Sequence, residues 1–176
     1  MSLRRAHSTN QRYHRRRKNA RALPLDALNH GLIIDIAAAE ILTERGIDVG
    51  IKDIGAEVSG DSEHFLSDDN HIGTYGATVY DIKIHKNAQI LSDVSTQNGV
   101  IPMSYRYENA NGNRFLALNV NTRSPKDTVL KHYARSKQYA DNIPWLNGKK
   151  LPAYVYGNPA LYIQCKRNED ALAVGL

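Results

Sequence analysis

Thiol chemistry is nearly absent from this chain: of its 176 residues only Cys165 is a cysteine. An intramolecular disulfide is impossible, and so is a metal cage built from several thiolates of one chain. Such cysteine usage suits a reducing compartment. The N-terminus lacks the apolar segment of a secretory signal. Asp35 interrupts the longest apolar run, Leu32–Ala39, well short of a membrane span. A cytoplasmic protein without a membrane partner is the expectation. The usual catalytic punctuation is missing as well. There is no Gly-x-Ser-x-Gly elbow, no phosphate-cradling Walker loop and no glycine-rich dinucleotide fingerprint. Phenylalanine and tryptophan are scarce, at two and one, while tyrosine numbers ten. Tyrosine is amphipathic, so this skew suits half-exposed strand positions first, and carbohydrate-facing platforms or interfaces second.

Acidic residues are missing from one segment only. Residues 1–22 hold Arg4, Arg5, Arg12, Arg15, Arg16, Arg17, Lys18 and Arg21 and no acid. Without these eight, 15 basic residues face 18 acidic ones, so the formal charge of +5 becomes −3 for the body. Like charges at that density repel, and residues 1–24 read as a disordered basic arm ending at Pro24. An arginine-rich arm can bind a phosphate backbone through counterion release. A targeting segment and a non-native leader are the other readings of the arm.

The body opens on Gly31–Ile47, where strand, helix and stop signals follow one another. Leu32–Ile34 reads as a buried strand, and Asp35 as the cap of the helix after it. Ala37, Ala38, Ile41 and Leu42 share one face of that helix, and Gly46 suits its left-handed C-terminal stop with Ile47 folding back onto Leu42. Val49–Ile54 then reads as a second strand, and strand–helix–strand favours a parallel pair. Residues 55–70 turn polar and read as a loop. Thr78–His85 alternates, with Tyr80, Ile82 and Ile84 on one face and Val79 on the other, and Gln89–Val94 is its expected partner. Val100–Glu108 and Arg114–Val120 bracket an Asn-Gly turn, a strong hairpin signal. Ser124, Pro125 and Asp127 supply an N-terminal box for a long helix over 125–146, ended by Pro144 and Asn147-Gly148, with Trp145-Leu146 plugged into the core. Leu161–Lys166 and Ala171–Leu176 read as two strands, the second cut short by the end of the chain. The expected fold class is α+β: a partial α/β (βαβ) unit over 25–56, then an antiparallel β-rich section over 57–176 with one long capped helix.

Few residues stand out for chemistry. Carboxylates are plentiful, but no spacing singles out the paired acids of a glycosidase. Asp35, at a strand-to-helix junction, lies where α/β sheets gather ligands, although a helix cap explains it equally. His64, Asp68, Asp69 and His71 form the most ligand-like cluster, with the imidazoles and carboxylate of a facial triad. Their spacing matches no helical or zinc signature, so a solvated loop without metal is expected. Cys165, without a nucleophile elbow, reads as a buried strand residue. No catalytic residue and no cofactor is expected.

The strings LNHGLIIDIAAAEILTERGIDVGI, SYRYENANGNRFLALNVN and HYARSKQYADNIPWLNGKKLPAYVYGNPALYIQCKRNEDALAVGL span residues 28–176 with gaps. In that order they resemble the region around the end of the amidotransferase-like (β-galactosidase trimerisation-like) domain of large bacterial glycoside-hydrolase-related proteins. The resemblance implies a carbohydrate-active parent enzyme whose catalytic glutamates lie in a preceding barrel, so no catalytic residue is carried over. It implies a non-catalytic C-terminal portion with a structural or oligomerisation role, continuing past Leu176, and a mis-started or broken reading frame would account for the arm. Its partners would be other domains of the enzyme or a second copy. Tyr105, Tyr107, Tyr154 and Tyr156 are then candidate sugar or interface contacts. The alternative is a small RNA-binding protein that uses the arginine-rich arm.

Overall fold

The computed structural model describes residues 25–122, 128–150, 153, 164–167 and 172–175. A 3-10 turn at Leu25–His30 leads into β1 (Leu32–Asp35) and α1 (Ile36–Glu44). Asp35 caps α1, its Oδ1 accepting from the Ala38 N–H at 2.8 Å. The stop after Glu44 is a Schellman motif. Gly46, at φ +78°, donates to Thr43 O, and Ile47 donates to Leu42 O. The buried positions of α1 are Ile36, Ala39 and Leu42, so the helix sits about one residue off the expected face, with Ala37 and Ala38 at its margins.

The strand after α1 does not complete a parallel unit. β1 pairs in parallel with β7 (Arg114–Leu118), Leu32 opposite Phe115 through Asp35 opposite Leu118. β2 (Ile51–Phe65) lies elsewhere in the sheet, whose order is β1-β7-β6-β5-β2-β3 with β4 also on β2. The βαβ expectation fails on this pairing: β7 supplies β1 with a neighbour of matching apolar residues, from far along the chain. The expected boundary at 56–57 falls inside β2. Residues 55–65, expected as loop, are strand, because their backbone groups pair with neighbouring strands, on both edges in the second half of β2. The first half of β2 pairs with β4 (Thr78–Ile84). Its second half pairs with β3 (Asn70–Gly73) on one edge and β5 (Gln89–Thr96) on the other.

β3 and β4 form one bent partner of β2. At the bend Thr74 donates to Asp61 O and Gly60 donates to Ala77 O, while Tyr75 and Gly76 have φ of +53° and +74°. The bulge curls the sheet. Gln89–Val94, expected to pair with β4, instead lies in β5 between β2 and β6 (Gly99–Glu108). β6 and β7 form the expected hairpin. Its loop is built on Asn109, whose Oδ1 accepts from the Asn111 and Asn113 N–H groups while Gly112 takes φ +78°.

Two apolar clusters form the core of the described residues. Ile34, Ile36, Leu42, Val49, Ile82, Tyr105 and Phe115 pack under α1. Val79, Val94, Met103, Leu118, Val120 and Val129 form the other, so Val79 faces away from Ile82 as its alternation requires. The expected long helix is two: α2 (Thr128–Lys131) and α3 (Tyr133–Asn147), broken at His132, whose extended backbone (ψ 145°) and ring Nδ1 cap α3. Residues 124–127, with the expected N-terminal box, lie outside the described residues. Pro144 does not end α3; the stop is Gly148 at φ +65°. Leu146 is buried, whereas Trp145 is half-buried, with the guanidinium groups of Arg106 and Arg114 each over its ring at 5.2 and 5.5 Å from the centroid. A last antiparallel pair joins β8 (Gln164–Arg167) and β9 (Leu172–Gly175), as expected, and Cys165 within it is only half-buried. Strand dominates an α+β chain.

Candidate functional sites

Three groupings of polar side chains carry the chemistry of the described residues. The deepest joins α3 to the sheet. Arg135 is 0% exposed and Glu63 is 2% exposed, and Arg135 Nη2 reaches both Glu63 oxygens at 2.7 Å. Ser92 donates to Glu63, Ser92 and Ser104 share a hydrogen bond, and Gln138 links Ser104 to Arg135. Arg135 also lies over the Phe65 ring, 5.0 Å from its centroid. Burial pushes the Glu63 carboxyl above its usual range, against the pull of Arg135 and the Ser92 hydroxyl. Every buried polar atom among the described side chains has a partner. Both Glu63 oxygens are occupied, which makes this carboxylate a fastening between helix and sheet rather than a free acid or base.

The second grouping surrounds the chain as it leaves α1. Asp48 Oδ2 accepts from the Tyr107 hydroxyl at 2.6 Å, and its Oδ1 accepts from the Gly50 N–H at 2.9 Å. His85 Nε2 stands 3.8 Å from Oδ1, with its ring tilted against Tyr107. Partial burial raises the Asp48 carboxyl, but the Tyr107 hydroxyl, the Gly50 amide and His85 outweigh it and hold the group below its usual value. Tyr105 donates to Val49 O, and burial together with the Asp48 charge pushes its hydroxyl well above the ordinary phenol range. Tyr105 and Tyr107 are 1% and 5% exposed. They are core residues with engaged hydroxyls, not sugar platforms, because the Asp48–Gly50 segment packs against them. Tyr154 and Tyr156 lie outside the described residues, as does the whole basic arm.

Asp35 is likewise committed. Beyond capping α1, its Oδ2 accepts from Thr122 N and Thr122 Oγ1 at 3.1 and 2.7 Å. It ties the end of β1 to the chain leaving β7, and the cap reading explains it fully.

The third grouping is the tip of the β2–β3 hairpin. His64 and His71 sit opposite each other, and their rings stack at 4.2 Å with planes 2° apart. Asp69, in the turn at φ +55°, places Oδ1 2.8 Å from His64 Nε2 and 3.8 Å from His71 Nε2. Of the two adjacent aspartates the sequence offered, Asp69 joins the histidines, while Asp68 turns to Lys137 on α3 at 3.9 Å. Asp93 of β5 lies opposite His64 on the other edge of β2, its Oδ1 3.6 Å from His64 Nδ1. Asp48, His85 and Asp93 were not singled out by sequence. Only the register that sets Asp93 beside His64 gives it a role, and no local motif encodes that register.

No family model, no curated protein and no solved structure matches this chain. No helix among the described residues is long and apolar enough to cross a membrane.

Proposed function

We propose that the body of this chain is a non-catalytic structural module that works by docking, as a portion of a carbohydrate-active, glycoside-hydrolase-related enzyme. The observation that carries the docking role is the edge of the sheet at β1. Among the described residues this strand ends the sheet order, and Ile33 on it is 45% exposed. A strand paired on one side offers a row of backbone donors and acceptors to another chain. Parts of the site chemistry fit the same reading, since Glu63, Asp35 and Asp48 are each spent on internal bonds. The carbohydrate context rests on the sequence resemblance alone. The occupant of the edge is a second copy of this chain, standing in for a neighbouring domain of a larger enzyme. Hydrogen exchange tests it: Leu32–Ile34 amides facing away from β7 gain protection as protein concentration rises. Concentration-independent exchange there, or turnover of aryl glycosides, overturns the reading.

The arm favours a second reading, RNA binding, because eight cations fall within 22 residues that hold no acid, a composition suited to phosphate contacts. Salt-sensitive RNA binding lost on deleting residues 1–22 supports it, and no binding at low salt removes it.

A further inference from the structure

We propose that the tip of the β2–β3 hairpin is a binding site for a divalent transition-metal ion, held by His64, Asp69 and His71 and oriented by Asp93. This goes beyond the docking role and does not depend on it. The site is built by register. His71, His64 and Asp93 occupy paired positions on three adjacent strands, β3, β2 and β5, so they form a row across one face of the sheet. Glu63 and Phe65, the neighbours of His64 in β2, are buried, which leaves the half-exposed His64 on the opposite face. The turn then adds Asp69 from above the row.

One ligand atom from each of His64, Asp69 and His71 falls within a group no more than 4.8 Å across. In a four-coordinate site with bonds of about 2.0–2.1 Å, neighbouring donors stand about 3.3 Å apart. The widest separation therefore has to close by up to about 1.5 Å, while the 2.8 Å contact of His64 with Asp69 opens slightly, and rotation of the exposed Asp69 and His71 side chains supplies both. His64 needs less freedom, because it is positioned from behind. Asp93 Oδ1 lies 3.6 Å from its Nδ1, so a small ring rotation on metal binding brings the two into hydrogen-bond distance and leaves Nε2, the nitrogen nearest Asp69, for the metal. A carboxylate behind a metal-bound imidazole fixes the ring tautomer and its orientation.

The donor set selects the ion. Two imidazoles and one carboxylate suit Zn²⁺, Ni²⁺ or Cu²⁺. Ca²⁺ and Mg²⁺, which want six or more oxygens or a largely hydrated octahedron, are poorly served. The remaining coordination positions face solvent and take water. A bound ion would staple the two strands at the end of the hairpin, beside the contact of Asp68 with Lys137 on α3.

Isothermal titration of the full chain with ZnCl₂, repeated with NiCl₂, tests the site. The wild type is expected to bind one ion per chain at this site, and His71→Ala, an exposed change, to abolish that binding. Asp93→Asn is expected to weaken it about 10-fold to 100-fold, and Asp68→Ala to leave it unchanged. Circular dichroism of each variant confirms that the fold is retained. Unaltered binding in both His71→Ala and Asp69→Asn would place the ion elsewhere, on the arm histidines for instance, and overturn the proposal. Absence of binding to the wild type at millimolar Zn²⁺ and Ni²⁺ overturns it equally.

Discussion

Arg135 and Glu63 place two full charges where the sheet and α3 meet, with essentially no access to water. Desolvating such a pair costs several kcal/mol per ion, repaid only when geometry and secondary hydrogen bonds are complete. Here they are complete: Ser92, Ser104 and Gln138 occupy the remaining directions. Removing one partner is then far worse than removing both. Arg135→Met is expected to cost about 3–5 kcal/mol in urea unfolding, by leaving Glu63 buried and unpaired. The double change Arg135→Met with Glu63→Leu is expected to recover much of that loss, giving a strong coupling in a double-mutant cycle. Additive effects would contradict the buried pair. Asp48 behaves differently, because it is partly exposed and its folded value is lowered. A lowered carboxyl adds stability above its unfolded value, about pH 3.9, and that stability is lost as pH falls through the folded value. Asp48→Asn should therefore flatten the acid limb of the stability profile below about pH 4. Solvent screening holds the effect to about 1 kcal/mol or less. An unchanged limb would show that Asp48 gains nothing from Tyr107.

At the scale of elements, glycines mark where backbone geometry is least negotiable. Gly50 has φ +87°, and a Cβ placed on it would lie 2.7 Å from Tyr107 Cγ. Gly46 has φ +78° with open space around it. Gly46→Ala should cost about 1–2 kcal/mol, the left-handed penalty alone. Gly50→Ala should cost clearly more, because Tyr107 must also move and surrender its bond to Asp48. Equal losses in thermal or urea melts would contradict that packing.

The Gly46 stop, like the Asp35 cap and the Asn109–Asn113 turn, was legible in sequence because each is decided within about six residues. What escaped the sequence was decided at longer range. The second half of β2 reads as polar loop, since its buried position 63 is a glutamate and only Arg135, 72 residues away, makes that burial tolerable. The parallel partner of β1 is β7, and no local pattern distinguishes it from the nearer β2. The break at His132 was hidden because the apolar residues run on across it, while the ring itself supplies the cap of α3. The candidate metal site was half legible: its histidines were visible, but the choice of Asp69 over Asp68 and the presence of Asp93 belong to the folded register.

At the scale of the whole molecule, the described residues form a curled, mostly antiparallel sheet fastened from within, with β1 at one end of the strand order. Its polar groups Glu63, Asp35 and Asp48 are held by internal bonds, and the proposed roles fall on surfaces: the β1 edge, the hairpin tip and the basic arm. The central claim is that the β1 edge docks. The most direct measurement is sedimentation velocity of the full chain over a wide concentration range, beside Ile33→Lys, which sets a charge on that edge. Reversible self-association of the wild type, shifted to monomer by Ile33→Lys, is the predicted result. A wild type that stays a monodisperse monomer at every concentration would contradict it.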